Sequence, residues 1–404
     1  MAAAEAALGV LNCITIRPTM EEFRDELAFL SSKVVQDAGK ERGIVRVVCP
    51  REFEPSRPPY TEEDAAANPS LWTRELPVLQ QLFPRLETPM AKGKEGMFVV
   101  ERRQAEQEQT NSKEWQRRAQ NEKARTMSKM RDAQRKEALR KGDKNFVPLD
   151  YEKPHNARRL YWDSRPYQRV AYYGADVSDS CMRHDLESWN FNSPTFPCLT
   201  NMFDTERTPG VYTPYLYIGS WGSSFGMHPE DKDLYSLSYL HEGEAKFWYG
   251  MPSSSSAAVE EFAAELLPEE ASSCAQFLRH KTLIIAPEYF LKRGIQVYAA
   301  EQKEGDLIIT FPNAYHYGFN NGFNVAEARN IATKDWIPFG LKAESCQCET
   351  YQGADVLPYE RIVEMAKKAD PEKYAHLVLK RPSDEDYVDV ESLMKRVKKA
   401  VQPR

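Results

Sequence analysis

The sequence predicts a mainly β fold of the barrel or jelly-roll kind, with a small α/β unit before it and helices after it. Three observations lead there. From Tyr161 onward, short runs rich in β-branched and aromatic residues alternate with turn residues. Near the start, within residues 14–56, a capped helical stretch runs into a β-branched run. After residue 356 the apolar spacing becomes helical again.

In chain order, Thr19 and Glu22 form a T-x-x-E capping box. Phe23, Leu27, Leu30 and Val34 then recur at helical spacing, and Gly39 stands where a residue after the helix is expected. Ile44–Cys49 (IVRVVC) reads as a strand ended by Pro50. Residues 55–98 hold many prolines and few periodic runs, so they read as a connection pinned to the core by Trp72, Leu76, Leu79, Leu82 and Phe83. Residues 99–141 have helical composition but little apolar periodicity apart from Trp115, which predicts one or two exposed helices. Strands are expected at 168–173, 213–219, 233–240, 245–250, 282–286, 296–300, 306–311 and 326–333. In the helical stretch 356–400, Ile362, Met365 and Ala366 should pack on the barrel. There is no internal repeat.

Of the 404 residues, 41% are apolar and 28% charged, which excludes a fully disordered or fibrous protein. No uninterrupted apolar run reaches the roughly eighteen residues a membrane span needs. Residues Met1–Leu8 lack a basic start, so no secretory leader is expected. Seven cysteines are too few and too odd in number for a secreted disulfide scaffold, and a reducing, intracellular compartment is expected. The net charge of −6 is uneven: residues 101–144 carry 14 Lys+Arg against 8 Asp+Glu, leaving the rest strongly acidic. Such a body favours a basic partner. The basic run is a solvated mixed-charge helix, a nucleic-acid contact or a localisation signal.

The chemistry centres on His228-Pro229-Glu230. In a strand, residues two apart share a face, so His228 and Glu230 can both point inward. His316, on FPNAYHYGFN, would complete a two-His-one-carboxylate face. Such a face leaves open positions for a 2-oxo acid and dioxygen and suits non-haem Fe(II). H-x-E alone is weak, and a lone histidine in such a strand is more often a core residue. The β context and the distal histidine together favour the metal. Lys246 on KFWYG either faces solvent or points inward, where a dicarboxylic cosubstrate would have to meet it. Cys274, His280, Cys346 and Cys348 make a Cys₃His set fit for tetrahedral structural zinc, unless they are unrelated reduced cysteines. Cys13, Cys49, Cys181 and Cys198 read as ordinary thiols.

On these residues the chain resembles the JmjN–JmjC histone lysine demethylases, in particular the group acting on trimethylated lysines 9 and 36 of histone H3. The likeness to JmjN rests on RPTMEEFRDELAFLSSKVVQDAGKERGIVRVVCPREFEP. The likeness to JmjC rests on TPYLYIGSWGSSFGMHPEDKDLYSLSYLHEGEAKFWYGMP, FLRHKTLIIAP and FPNAYHYGFNNGFNVAEARNIATKDW. It implies a double-stranded β-helix, a cupin-like jelly roll, as the JmjC fold. It divides the chain into JmjN at 14–56, a linker with a charged basic helix at 57–145, JmjC with its zinc site at 146–350, and a helical segment at 351–404.

The resemblance implies Fe(II) on His228, Glu230 and His316, with Zn(II) on Cys274, His280, Cys346 and Cys348. It places the distal carboxylate of 2-oxoglutarate on Lys246 and Tyr173, packed by Phe225, with Ser238 near the cosubstrate. Gly210, Tyr215, Tyr217, Glu230 and Asn330 would cage the methylated ammonium, with Asp176 and Lys281 lining the substrate region. Three features depart from the relatives. Ser238 stands where they often have asparagine, keeping a hydroxyl but shortening its reach. Ala328 and Arg329 replace two small hydroxyl residues that shape the methyl pocket; an arginine pointing inward would repel a trimethylammonium group, and one pointing outward would leave the pocket open. The basic helix of roughly 116–145 looks like an insertion.

The implied reaction hydroxylates an N-methyl group and releases formaldehyde, with the methylated histone H3 tail as partner and the nucleus as location. Nucleosomal DNA would meet residues 101–144, and no membrane is involved. No cysteine follows Cys348, so no zinc-based reader is expected there. A JmjC protein hydroxylase shares the iron site but usually lacks JmjN, and a chromatin scaffold would keep the site silent. A plain cupin storage or sugar-binding protein would need neither Lys246 nor the zinc set.

Overall fold

The computed structural model describes residues 9–56, 78–83, 96–102 and 112–378, apart from 152, 154–155, 166, 169, 200–209, 347 and 349–356. Its strands are β1 (Leu11–Asn12), β2 (Ile14–Ile16), β3 (Ile44–Val48), β4 (Val78–Phe83), β5 (Met97–Arg102), β6 (Val170–Val177), β7 (Tyr215–Gly219) and β8 (Ser224–His228). They continue as β9 (Tyr235–Gly243), β10 (Lys246–Met251), β11 (Leu283–Ile285), β12 (Tyr298–Gln302), β13 (Asp306–Thr310), β14 (Tyr315–Asn320) and β15 (Asn324–Ile331). One sheet runs β1-β12-β10-β14-β8, the other β11-β5-β4-β6-β7-β15-β9-β13-β3-β2. Pairing is antiparallel except for β1 with β12 and β2 with β3. The eight expected strands are present within a few residues as β6, β7, β9 to β13 and β15.

The N-terminal unit departs from the single helix its periodicity suggests. The Thr19–Glu22 capping box forms, but Asp25 and Ser32 each cap a new helix. The result is α1 (Met20–Phe23), α2 (Glu26–Ser31) and α3 (Lys33–Arg42). These breaks change which side chains face inward. Phe23, Phe29, Leu30, Val35 and Ala38 are buried, whereas Leu27 and Val34 of the expected stripe are exposed. Gly39 lies inside α3, where a β-carbon would run into the Phe311 ring. The residue that ends α3 is Gly43, in left-handed backbone at φ 76°. β3 continues the larger sheet beside β13, with Arg46 paired to Asp306 at 2.7 Å. Phe23 stacks on Trp189 at 4.4 Å between ring centroids.

Two further corrections concern the middle of the chain. The expected connection at 55–98 contributes β4 and part of β5, which pair with each other and with β6 and β11. Both edges come from distant segments, which local composition does not reveal. Leu79, Leu82 and Phe83 fall on β4, while Trp72 and Leu76 lie outside the described residues. The expected exposed helix is α4 (Ser112–Arg140), and it is docked. Trp115, Ala119, Met127 and Met130 are buried, and Trp115 Nε1 donates to the Gly219 carbonyl at 2.9 Å. Its buried stripe is spaced helically but built partly of alanine and methionine among charges, so it reads as weakly apolar. Near the C-terminus, α5 (Tyr359–Ala369) buries Ile362, Met365 and Ala366 as expected, with Val363 beside them. Residues 379–404 lie outside the described residues. Among the described residues no helix is long and apolar enough to cross a membrane.

Candidate active site

Two strands of the smaller sheet bring the metal-ligating residues together. His228 closes β8, His316 lies on β14, and the two are direct cross-strand partners. The ladder shifts register just after His316, re-aiming the strand at the site as bulges do. Glu230 is beyond the end of β8 rather than on a strand. Its backbone is nevertheless extended, φ −67° and ψ 154°, so its side chain returns to the face of His228. One ligand atom from each of the three residues lies within 4.8 Å of the others.

The ring orientations suit a cation. His228 Nδ1 sits 2.6 Å from the Gly226 carbonyl and His316 Nδ1 3.4 Å from the Ala314 carbonyl, leaving each Nε2 facing inward. His316 Nε2 is 3.2 Å from Glu230 Oε1. Burial, together with the charges of Lys281 and His316, holds His228 well below its usual range, so it stays a neutral donor. Burial opposes ionisation of Glu230, but the His316 hydrogen bond and neighbouring positive charge overcome it and hold the carboxyl well below its ordinary value.

These ligands open into a small cavity of about 80 Å³ lined from both sheets. Tyr173, Tyr217, Ser238 and Ala328 come from the larger sheet, Phe225, Lys246 and Trp248 from the smaller. Lys246 points inward. Its Nζ donates to Tyr173 Oη at 3.2 Å and lies 5.0–5.8 Å from the ring centroids of Tyr173, Tyr217, Phe225 and Trp248. Burial, opposed only by the charge of Asp176, lowers it to about 7. Ser238, also buried, has no hydrogen-bond partner for its Oγ among the described residues. Among the described residues, a buried cation in no ion pair and a buried hydroxyl without a partner fit a polar, anionic ligand in this space.

The residues expected around the substrate separate into two sets. Tyr217 Oη donates to Asp176 Oδ1 at 3.0 Å, and Asp176 and Lys281 line the cavity in left-handed backbone. Asn330 Nδ2 donates to Glu230 Oε2 at 3.1 Å, and its backbone N–H to the Gly210 carbonyl at 3.0 Å. Gly210 rests on Tyr215, whose ring a β-carbon there would strike. Arg329, expected among the substrate-binding residues, takes the outward of its two orientations. Strand alternation turns it away from Ala328 and the cavity, and its Nη1 donates to the Phe191 carbonyl at 2.8 Å beneath the Phe196 ring. It braces the loop of Phe191 and Phe196 and does not line the substrate region.

A second cluster gathers Cys274, His280, Cys346 and Cys348. His280 Nε2 lies 3.1 Å from Cys346 Sγ and 3.3 Å from Cys348 Sγ, and Cys274 Sγ 3.6 Å from Cys346 Sγ. Burial and the neighbouring thiols push Cys346 up to about 12. Three sulfurs and one imidazole this close could hold a metal ion, and soft donors of this kind suit zinc. A separate cavity of about 690 Å³, lined by α4 and by Phe247 of β10 among others, holds neither group of ligands.

Comparison with known proteins matches the JmjC domain, hydroxylase, to residues 215–331, the span containing His228, Glu230 and His316. Over 94% of this chain, lysine-specific demethylase 4D of Rattus norvegicus is 34% identical. The chain carries a JmjC domain and is similar over most of its length to a lysine-specific demethylase. Lysine-specific demethylase 4B of Mus musculus is 33% identical and probable lysine-specific demethylase 4F of Homo sapiens 34% identical, each over 83% of this chain. The chain spans 65%, 27% and 46% of the lengths of these three relatives. The JmjC fold is thus as expected, and the strands and helices before residue 56 are compatible with a JmjN unit.

Sequence reasoning missed parts of this JmjC site. Trp248 and Ser236 line the cavity. Both were within reach of strand alternation, two residues from Lys246 and Ser238 respectively. Arg279, which touches the Glu230 backbone, carried no signal beyond its place next to His280.

Proposed function

We propose that the protein is an Fe(II)- and 2-oxoglutarate-dependent lysine demethylase that removes N-methyl groups from histone H3 tail lysines, 9 or 36 or both, by hydroxylation with release of formaldehyde. The observation carrying this reading is the joining of two features in one cavity. The His228–Glu230–His316 face lies at one part of it and the buried Lys246 cation at another. Bound there, Fe(II), dioxygen and 2-oxoglutarate supply the oxidising power for a C–H bond.

The protein's residues do the rest. His228, Glu230 and His316 would hold the metal. Lys246 and the Tyr173 hydroxyl receive the distal carboxylate, Ser238 donates to the cosubstrate, and Phe225 and Trp248 exclude water around it. Tyr217, kept neutral by burial and by Asp176 nearby, presents oxygen toward the methylated ammonium together with Glu230, Gly210 and Asn330. The Cys₃His cluster holds Zn(II) and takes no part in the chemistry. A nuclear location and a contact of residues 101–144 with nucleosomal DNA complete the proposal.

Methylated histone H3 peptides incubated with the protein, Fe(II), 2-oxoglutarate and ascorbate should lose methylene units stepwise by mass spectrometry. A His228→Ala variant should leave them intact. An oxygenated peptide without formaldehyde would make the protein a hydroxylase. No peptide change and no consumption of 2-oxoglutarate would leave a binding protein.

A further inference from the structure

The segment bearing Cys274 and His280 also reaches the backbone of Glu230 in the other ligand group. His280 ends the 3₁₀ turn Phe277–His280, and its neighbour Arg279 extends to the loop after His228. Arg279 Nη1 donates to the Glu230 backbone carbonyl at 2.6 Å and Nη2 to Asp233 Oδ1 at 2.8 Å, both side chains nearly buried. The loop it grips is under strain. Lys232 and Asp233 are buried and hold successive left-handed backbone, each at φ 52°, a conformation non-glycine residues keep only where surroundings impose it. Asp233 N–H donates to the Glu230 carbonyl at 2.9 Å, and Trp336 Nε1 to the Lys232 carbonyl at 3.0 Å.

A second contact joins the same two segments. A β-carbon on Gly226 would strike the Lys281 carbonyl, so the backbone after His280 lies directly on β8, two residues before His228. A buried Arg–Asp pair alone would be ordinary packing. Here the guanidinium fork also holds the backbone carbonyl of a ligand residue, and so restrains the loop from which its side chain projects.

We propose that Arg279 is a positioning residue that ties the Cys₃His cluster to Glu230, so that a filled cluster raises the affinity of the His228–Glu230–His316 group for its divalent cation. The proposal rests on the reading above that both groups hold metal ions. Mn(II) is the probe, because a hard cation does not compete for thiolates. The full chain, purified with zinc in place, is titrated with Mn(II), and free Mn(II) is followed by electron paramagnetic resonance.

Arg279→Met should weaken Mn(II) binding about tenfold, the usual size for a group supporting a metal ligand, with zinc content unchanged. Arg279→Lys, able to keep one of the two bonds, should fall between. Cys348→Ala, which opens the cluster, should weaken Mn(II) by a similar factor. The double variant should be no weaker than the weaker single one, because both changes break the same tie. Unchanged affinity in Arg279→Met, or losses that multiply in the double variant, would overturn the proposal. If Arg279→Met does not fold, Arg279→Lys decides: weaker binding with zinc retained supports the tie, and wild-type affinity ends it. Mn(II) held no tighter by the unmutated protein than by His228→Ala is a different failure, removing the metal-centre reading and the tie with it.

Discussion

A serine hydroxyl and a lysine ammonium, both buried and both short of partners, define this cavity more sharply than its shape does. Ser238 Oγ meets no acceptor or donor among the described residues. Removing it should therefore leave the fold unharmed while weakening the bound anion. Ser238→Ala should keep its melting temperature and lose about tenfold in 2-oxoglutarate affinity by calorimetry, the scale of one hydrogen bond to a charged group. An equal loss in both measurements would assign the hydroxyl to the fold instead. Lys246 gives a pH signature. An unfolded lysine titrates near 10.4, whereas burial, against the pull of Asp176, places the folded group at about 7. Between about 7 and 10 the unfolded chain binds the extra proton, so stability should rise with pH across that window. Thermal scans of the protein against Lys246→Met should show this slope only in the former, and 2-oxoglutarate should flatten it by restoring the charged form.

At the scale of elements, steric contacts override propensity. Gly39 sits within α3, and alanine there would gain up to ~1 kcal/mol of helix propensity. The Phe311 ring occupies the space a β-carbon needs, and overpacking of that kind costs about 1–3 kcal/mol. Gly39→Ala should thus lower the denaturant midpoint, and a raised midpoint would show that Phe311 yields freely. The same contact explains how α3 was misjudged from its sequence. Gly39 looks like a terminator when only its own neighbours are considered, and the reason for glycine lies 272 residues away. The strands of the JmjC core were legible because their β-branched and aromatic runs are local. β4 and β5 were not, since their partners come from distant segments. The ligand triad was legible because H-x-E and a distal histidine are chemically restrictive, whereas the outward turn of Arg329 needed the register of β15.

Considered whole, the molecule does not treat its N-terminal unit as an appendage. β3 completes the flank of β13, Arg46 meets Asp306, and Phe23 stacks on Trp189. Removing residues 1–56 would uncover that edge and these rings, so the shortened chain should aggregate or bind a hydrophobic dye rather than melt cooperatively. A cooperative transition at the original temperature would count against this integration. The pairing of His228 with His316 has one more consequence. The two are neighbours across a ladder but stand 88 residues apart along the chain. A cation held between them would act as a removable staple across a long loop, and in flexible chains closure entropy grows with loop length. Loading with metal would then slow the opening of β8 from β14, and hydrogen exchange along those two strands would report whether the staple is shut.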